Sequence, residues 1–216
     1  MSTFPITHRN EIKRVSKRAN YKKSTIYKII DEALYCHVGF TQEKQPFVIP
    51  TMHARMEDKI ILHGSKTSRL IKHIEAGNEV CIAITLLDGL VLARSAFHHS
   101  MNYRSVVIFG RGNSIETDDE KRLALQALME HMLPGRWADV RKPNQEELNS
   151  TGVVSIPIDD ASAKIRTGPP VDDPEDDDLL VWTGLLPFHQ RAEDPVNDPR
   201  IGKNVPIPEY IIHSHR

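Results

Sequence analysis

Apolar residues in this chain fall mostly into short runs separated by turn residues, with helical spacing in only a few places. Ile26, Tyr27, Ile29, Ile30, Ala33 and Leu34 recur at three- and four-residue intervals behind Ser24 and Thr25. This predicts an amphipathic helix capped by those hydroxyls. Thr117 followed by Asp118, Asp119 and Glu120 predicts a second helix start, with Leu123, Leu125, Leu128, Met129 and Met132 as its apolar side and Leu133-Pro134-Gly135 as its stop. A short helix is expected over 70–74. Strands are predicted over 36–40, 46–52, 58–63, 79–87, 105–115, 153–158, 161–166 and 180–187. The run Val106-Val107-Ile108-Phe109-Gly110 is apolar throughout, so that strand is expected to be buried on both faces. The two segments around Asp159-Asp160 read as a hairpin. No repeat and no βαβ alternation is present. Gly110-Arg111-Gly112 lacks the third glycine of a dinucleotide loop. The pattern therefore describes a mostly β chain with added helices, an antiparallel barrel.

Charge changes this picture only at the ends. The 216 residues carry a net charge of −1, which gives no bulk attraction for nucleic acid. Arg9, Lys13, Arg14, Lys17, Arg18, Lys22, Lys23 and Lys28 face one acid, Glu11, while 172–178 is almost wholly acidic. Both are expected to be solvated segments. We divide the chain into a basic N-terminal arm (1–23), a barrel domain (24–190) and a Pro-rich tail (191–216). Cys36 and Cys81 lie in apolar runs without metal-ligand spacing and read as buried small hydrophobes. Adjacent His98 and His99 point to opposite faces of an extended chain, so no metal site is expected. No membrane span or targeting segment is visible, and a cytoplasmic setting is the default.

Two segments carry candidate chemistry. The first is His63-Gly64-Ser65-Lys66-Thr67-Ser68-Arg69, between a strand and a helix. Lys66 and Arg69 supply charge, Thr67 and Ser68 supply hydroxyls, and free backbone N–H groups complete an anion site suited to a phosphate. An ordinary helix cap by Thr67 or Ser68 accounts for the same residues. The second is Asn102-Tyr103-Arg104-Ser105, directly ahead of the apolar strand. It reads either as the polar lining of a barrel mouth or as a surface loop.

In this order and spacing the segments resemble the FMN-binding split-barrel family, the pyridoxamine 5′-phosphate oxidase-like superfamily, on its nitroimidazole-reductase-like branch. The matching elements are Val48-Ile49-Pro50-Thr51, Ile61-Leu62-His63-Gly64 with 65–69, Asp88 to Arg94 running into Asn102-Tyr103-Arg104-Ser105, and Trp182-Thr183-Gly184 with Pro187. The resemblance implies a six-stranded antiparallel Greek-key barrel that forms a homodimer with FMN at the interface. On that pattern Pro50, Thr51 and Met52 line the flavin ring, and Leu62, His63 and Gly64 pass beside it. Lys66, Thr67, Ser68 and Arg69 take the phosphate. Asn102, Tyr103, Arg104 and Ser105 close the site, and Trp182 packs near the cofactor.

The resemblance also implies an FMN-dependent oxidoreductase that works on a small-molecule substrate or electron donor. Catalytic side chains are not readable, although His63 is a polar neighbour for the flavin and Arg104 a cation for its reduced form. The substrate does not carry over. The family's oxidases place a lysine near position 52 and a Tyr-x-x-x-Arg-Pro-x-x-Ser pattern on a later helix; here stand Met52 and a helix ending in Pro134, Gly135 and Arg136. Pyridoxamine 5′-phosphate oxidation is therefore not expected. Two alternatives stand beside the enzyme. One is a flavin carrier or sensor without turnover. The other is a haem-binding split barrel with His53, His63, His98 or His99 as axial ligand.

Overall fold

β-Branched and leucine side chains on alternating strand positions meet in one main core, formed among others by Val38, Ile60, Leu62, Ile82, Ile84, Val106, Ile108, Val154 and Ile156. This computed structural model describes residues 2–202 and 205–214. The elements in chain order are β1 (Ala19–Asn20), α1 (Lys23–Glu32), β2 (Tyr35–Gln42), β3 (Gln45–Met52), β4 (Ala54–Met56), β5 (Lys59–Ser65), α2 (Arg69–Glu75), β6 (Glu79–Leu92), β7 (Ser100–Arg111) and β8 (Asn113–Ser114). There follow α3 (Asp118–Met132), α4 (Arg136–Asp139), α5 (Gln145–Ser150), β9 (Thr151–Pro157), β10 (Asp160–Arg166), β11 (Gly184–Pro187) and α6 (Glu209–Ile212).

One sheet runs β1-β10-β7-β6-β2-β3, with β11 added to β6; the other runs β4-β5-β9-β8. Every pairing is antiparallel. The sheets meet where β3 contacts β5 and β7 contacts β9. This is the expected split barrel. A smaller core of Ala54, Ile61, Ala124, Leu128 and Val153 seats α3 on the outside of the second sheet.

Several local expectations are corrected. The N-cap of α1 is Lys22 without a side-chain bond, so Ser24 and Thr25 lie inside the first turn instead of capping it. Val106 and Ile108 are buried but Val107 and Phe109 only half-buried, so that strand alternates. The segments around Asp159 are no hairpin: β9 pairs with β5 and β8, and β10 with β7 and β1. Helix α3 buries Lys121, Ala124 and Leu128, whereas Leu123 and Met132 are exposed. Cys36 is buried but Cys81 only half-buried, on the outward face of β6.

Neither charged segment is simply solvated. Phe4 is 3 % exposed in the main core. Arg9 pairs with Asp160 and Glu79, and Lys23 with Asp58. From the acidic run, Asp172 holds Arg94 through its backbone N–H and guanidinium, and Asp173 holds His98. Beyond β11 the described residues form no further strand or helix until α6, where Tyr210 accepts from Arg136 and donates to Asp139. Residues 1, 203, 204, 215 and 216 of the expected arm and tail lie outside the described residues. Among the described residues no helix is long and apolar enough to cross a membrane, and no group of three or more His, Cys, Asp and Glu could hold a metal ion.

Candidate functional site

β3 ends its sheet, so the N–H and C=O groups along its outer edge have no strand partner. β4 covers β5 only as far as Ile61. The chain turns from β3 directly into β4, and β3 contacts β5, so the end of β3 and the stretch of β5 beyond Ile61 border the same seam. The seam between the sheets is thus flanked by two open backbone edges, and the first candidate segment runs from it into α2.

Within that segment Ser68 is the N-cap of α2, and its hydroxyl accepts from the Ile71 N–H. Three of the backbone N–H groups of the expected cradle are already engaged within the chain. The Lys66 N–H donates to Ser150, and the Thr67 and Ser68 N–H groups donate to Ser65. Side-chain charge remains. Lys66, Arg69 and Lys72 are exposed and make no ion pair among the described residues. Arg69 lies over the Phe47 ring at 4.1 Å from its centroid, which directs its guanidinium back along β3. Thr67 Oγ1 is 2.8 Å from Ser65 Oγ.

His63 is half-buried, its Nδ1 has no hydrogen-bond partner, and burial lowers its pKa. Leu62 is fully buried in the main core, so only its backbone reaches the seam. Gly64 is close-packed: a Cβ there would meet Ile71 Cγ1 at 3.2 Å.

The second segment is not ahead of the strand but inside it, because β7 begins at Ser100 and β6 reaches Leu92. Strand alternation therefore sends Tyr103 and Ser105 to one face and Asn102 and Arg104 to the other. Tyr103 and Ser105 share the outward face with Pro50 and Met52, through the pairings of β7, β6, β2 and β3. Ser105 donates to the Lys164 carbonyl. Asn102 donates to Gly168 and accepts from Arg166. Arg104 is held by both Asp88 and Glu32, which raise its pKa; in turn the Arg104 hydrogen bond lowers that of Glu32. Its charge is compensated within the chain, so it ties α1 to β6 instead of standing free for a ligand. Trp182 is 68 % exposed in the single chain, folded back over Gly184.

Two residues near the cations were missed. Lys72 stands three residues after Arg69 on the same helix side, a spacing that could have revealed it. Phe47 is distant in sequence and carries no motif.

The residues fit a flavin in three respects: unpaired cations for a phosphate, open strand edges for the polar rim of a ring, and a half-buried unpartnered imidazole beside them. Comparison with known proteins agrees. Residues 22–165 match the family model described as pyridoxamine 5′-phosphate oxidase. The flavocytochrome Anf3 from Azotobacter vinelandii is 37% identical, with 97% of each chain covered and a TM-score of 0.91. The FAD and heme binding protein from Mycobacterium smegmatis is 29% identical over 92% of this chain and 97% of its own, with a TM-score of 0.88. A candidate 5-nitroimidazole antibiotic resistance protein from Bacteroides thetaiotaomicron is 28% identical over 68% of this chain and 86% of its own, with a TM-score of 0.58. No curated protein sequence matches the chain.

Proposed function

The chain belongs to the pyridoxamine 5′-phosphate oxidase family, and from that premise we propose that it is a flavin-dependent oxidoreductase. The observation that carries the reading is the unpaired set Lys66 and Arg69 at the end of a seam with open backbone edges. In this reading Lys66, Arg69 and the Thr67 and Ser68 hydroxyls hold the phosphate of the FMN moiety. The edge of β3 at 50–52 and the backbone at 62–64 border the ring. A bound flavin would supply hydride and electron transfer. The chain's own part is to bind and orient it, and to offer the half-buried His63 imidazole, kept neutral by burial, at the ring edge.

We further propose a homodimer. The outward face of the larger sheet carries Tyr35 at 52 % and Val48 at 68 % exposure, with Leu87 at 43 %. Pro50, Met52 and Tyr103 share that face, so a second copy would cover the ring site as it covers the patch.

Haem is a second component of the reading, favoured by the 37% identity to a flavocytochrome across nearly the whole chain. His53 is sealed at 0 % exposure with Nε2 on the Ile30 carbonyl. His98 is paired with Asp173, and His99 Nδ1 with Ser95. His63 is half-buried as a residue, and no side-chain hydrogen bond holds it, so it is our candidate ligand.

The absorption spectrum of the purified protein tests both components. Flavin bands are expected, and a Soret band that His63→Ala abolishes supports the haem site. A spectrum without flavin bands, before and after incubation with FMN and FAD, overturns the proposal. Anaerobic bleaching of the flavin by NADH or NADPH separates an enzyme from a flavin carrier.

A further inference from the structure

Between Asp178 and Arg191 the chain carries no Lys, Arg, Asp or Glu, and much of its exposed apolar surface lies there. Leu179, Leu180, Val181 and Trp182 are each at least half exposed, Leu180 completely, and Leu185 and Leu186 of β11 remain open as well. These residues lie beyond 22–165, the part matched by the family model. We propose that 179–188 is a dimer arm, which packs against a second copy of this chain and buries Trp182 there. The inference rests on the homodimer proposed above and gives it a contact that the sheet face alone does not supply.

The arm is anchored at both ends and bare between them. At its base Asp172 holds Arg94 and Asp173 holds His98. At its far end β11 pairs with β6 over 89–92, and the Phe188 N–H donates to the Asp88 carbonyl. Between these anchors the backbone bonds are local ones, from Leu179 to Asp176 and from Val181 to Leu179. The Trp182 ring lies over Gly184, where a Cβ would come within 2.8 Å of it, and most of its surface is left open. The outer edge of β11 has no strand partner among the described residues, and an apolar strand edge is normally covered. Because both ends are fixed, little ordering entropy is left to oppose docking.

The position of the arm selects a second copy as its cover. β6 pairs with β2 over 81–83 and with β11 over 89–92, while β7 occupies its other side. β11 therefore continues the line of β2, and the arm adjoins the exposed Tyr35 and Leu87 of the proposed dimer face. Together they form one apolar band, larger than soluble monomers normally leave open. A two-fold axis presents the same band from both copies, so the surface is complementary to itself. A stable interface takes about 800 Å² from each partner, and the arm extends the Tyr35–Val48 patch toward that size. Six acids in 172–178 flank the arm and repel nucleic acid and anionic lipid headgroups.

The test uses the full-length chain. It has two tryptophans, so Trp137→Phe leaves Trp182 as the single tryptophan reporter. In the dimer Trp182 is expected to emit at shorter wavelength and to resist acrylamide quenching, and to lose both properties on dilution to monomer. Leu180→Asp changes a side chain that is completely exposed in the single chain, so it leaves the core intact. It enters the interface twice and is expected to weaken dimerisation about tenfold or more in light scattering. A wild-type dimer in which Trp182 is quenched as readily as free tryptophan overturns the inference, and so does a dimer that Leu180→Asp leaves at wild-type strength. A wild-type protein that is monomeric at all concentrations overturns the homodimer reading itself and is a separate result.

Discussion

His53 is sealed at 0 % exposure with one ring nitrogen on the Ile30 carbonyl and the other unpaired. Burial is the main reason its pKa falls from 6.5 to about 4; the His131 ring, centred 5.2 Å away, lowers it further, and the Ile30 carbonyl and Asp31 oppose the fall. In the unfolded chain this histidine protonates near 6.5, so the unfolded state binds more protons between the two values. Stability is therefore complete above pH 6.5 and is lost as pH falls toward 4, by about 3 kcal/mol for this group. Urea unfolding at pH 7.5 and 4.5, compared with His53→Gln, isolates its share; an unchanged pH slope in the variant contradicts the assignment. At Arg69 the expectation concerns binding. Arg69→Ala removes a charge-assisted contact to phosphate worth about 1.5–3 kcal/mol, roughly tenfold to a hundredfold in flavin affinity. Wild-type affinity in the variant would remove Arg69 from the site.

Helix α2 positions Arg69 and Lys72, and it sits close only because β9 presents a glycine to it. A Cβ on Gly152 would lie 2.5 Å from Ile71 Cγ2. Ile71 is fully buried, with nowhere to retreat. Gly152→Ala should push α2 outward, at a cost of about 1–3 kcal/mol, and weaken flavin binding although the residue touches no ligand. Denaturant melts and a flavin titration of the same variant check both halves. The element scale also marks what the sequence disclosed. Short apolar runs between turn residues predicted the strands of the barrel, because a residue's own face is set by the period-2 alternation around it. Strand partners are set elsewhere. Asp159-Asp160 looked like a hairpin turn, yet β9 and β10 join different sheets. Asn102 to Ser105 are polar enough to pass for a loop, but they lie in β7, paired to β6 and β10 and anchored by Asp88, Glu32 and Arg166. The cations of the candidate site were legible because their motif is contiguous. Phe47, which orients Arg69, was not, since its role exists only once β3 and α2 are brought together.

For the whole molecule, the exposed apolar face around Val48 and Tyr35 predicts a dimer of twice the 24.5 kDa chain mass in light scattering. Val48→Lys at its centre is expected to shift the equilibrium toward monomer, and a wild-type protein that is monomeric with flavin bound contradicts the shared site. The same scale decides the substrate. Family membership alone would suggest oxidation of pyridoxamine 5′-phosphate, whose phosphate needs a fixed cation over the flavin. On the outward face beside the proposed ring site stands Met52, which has no charge. Arg136, the residue near the end of α3 that could substitute, hydrogen-bonds to Tyr210 at 3.1 Å. Tyr210 in turn donates to Asp139, so the C-terminal segment ties Arg136 into a chain of hydrogen bonds that ends on a carboxylate. Oxygen-dependent formation of pyridoxal 5′-phosphate by flavin-loaded protein is therefore expected to stay well below the enzyme-like rate of about 1 per second. A rate at or above that value, lost in Arg136→Ala, would mean that the C-terminal segment releases this arginine to the site.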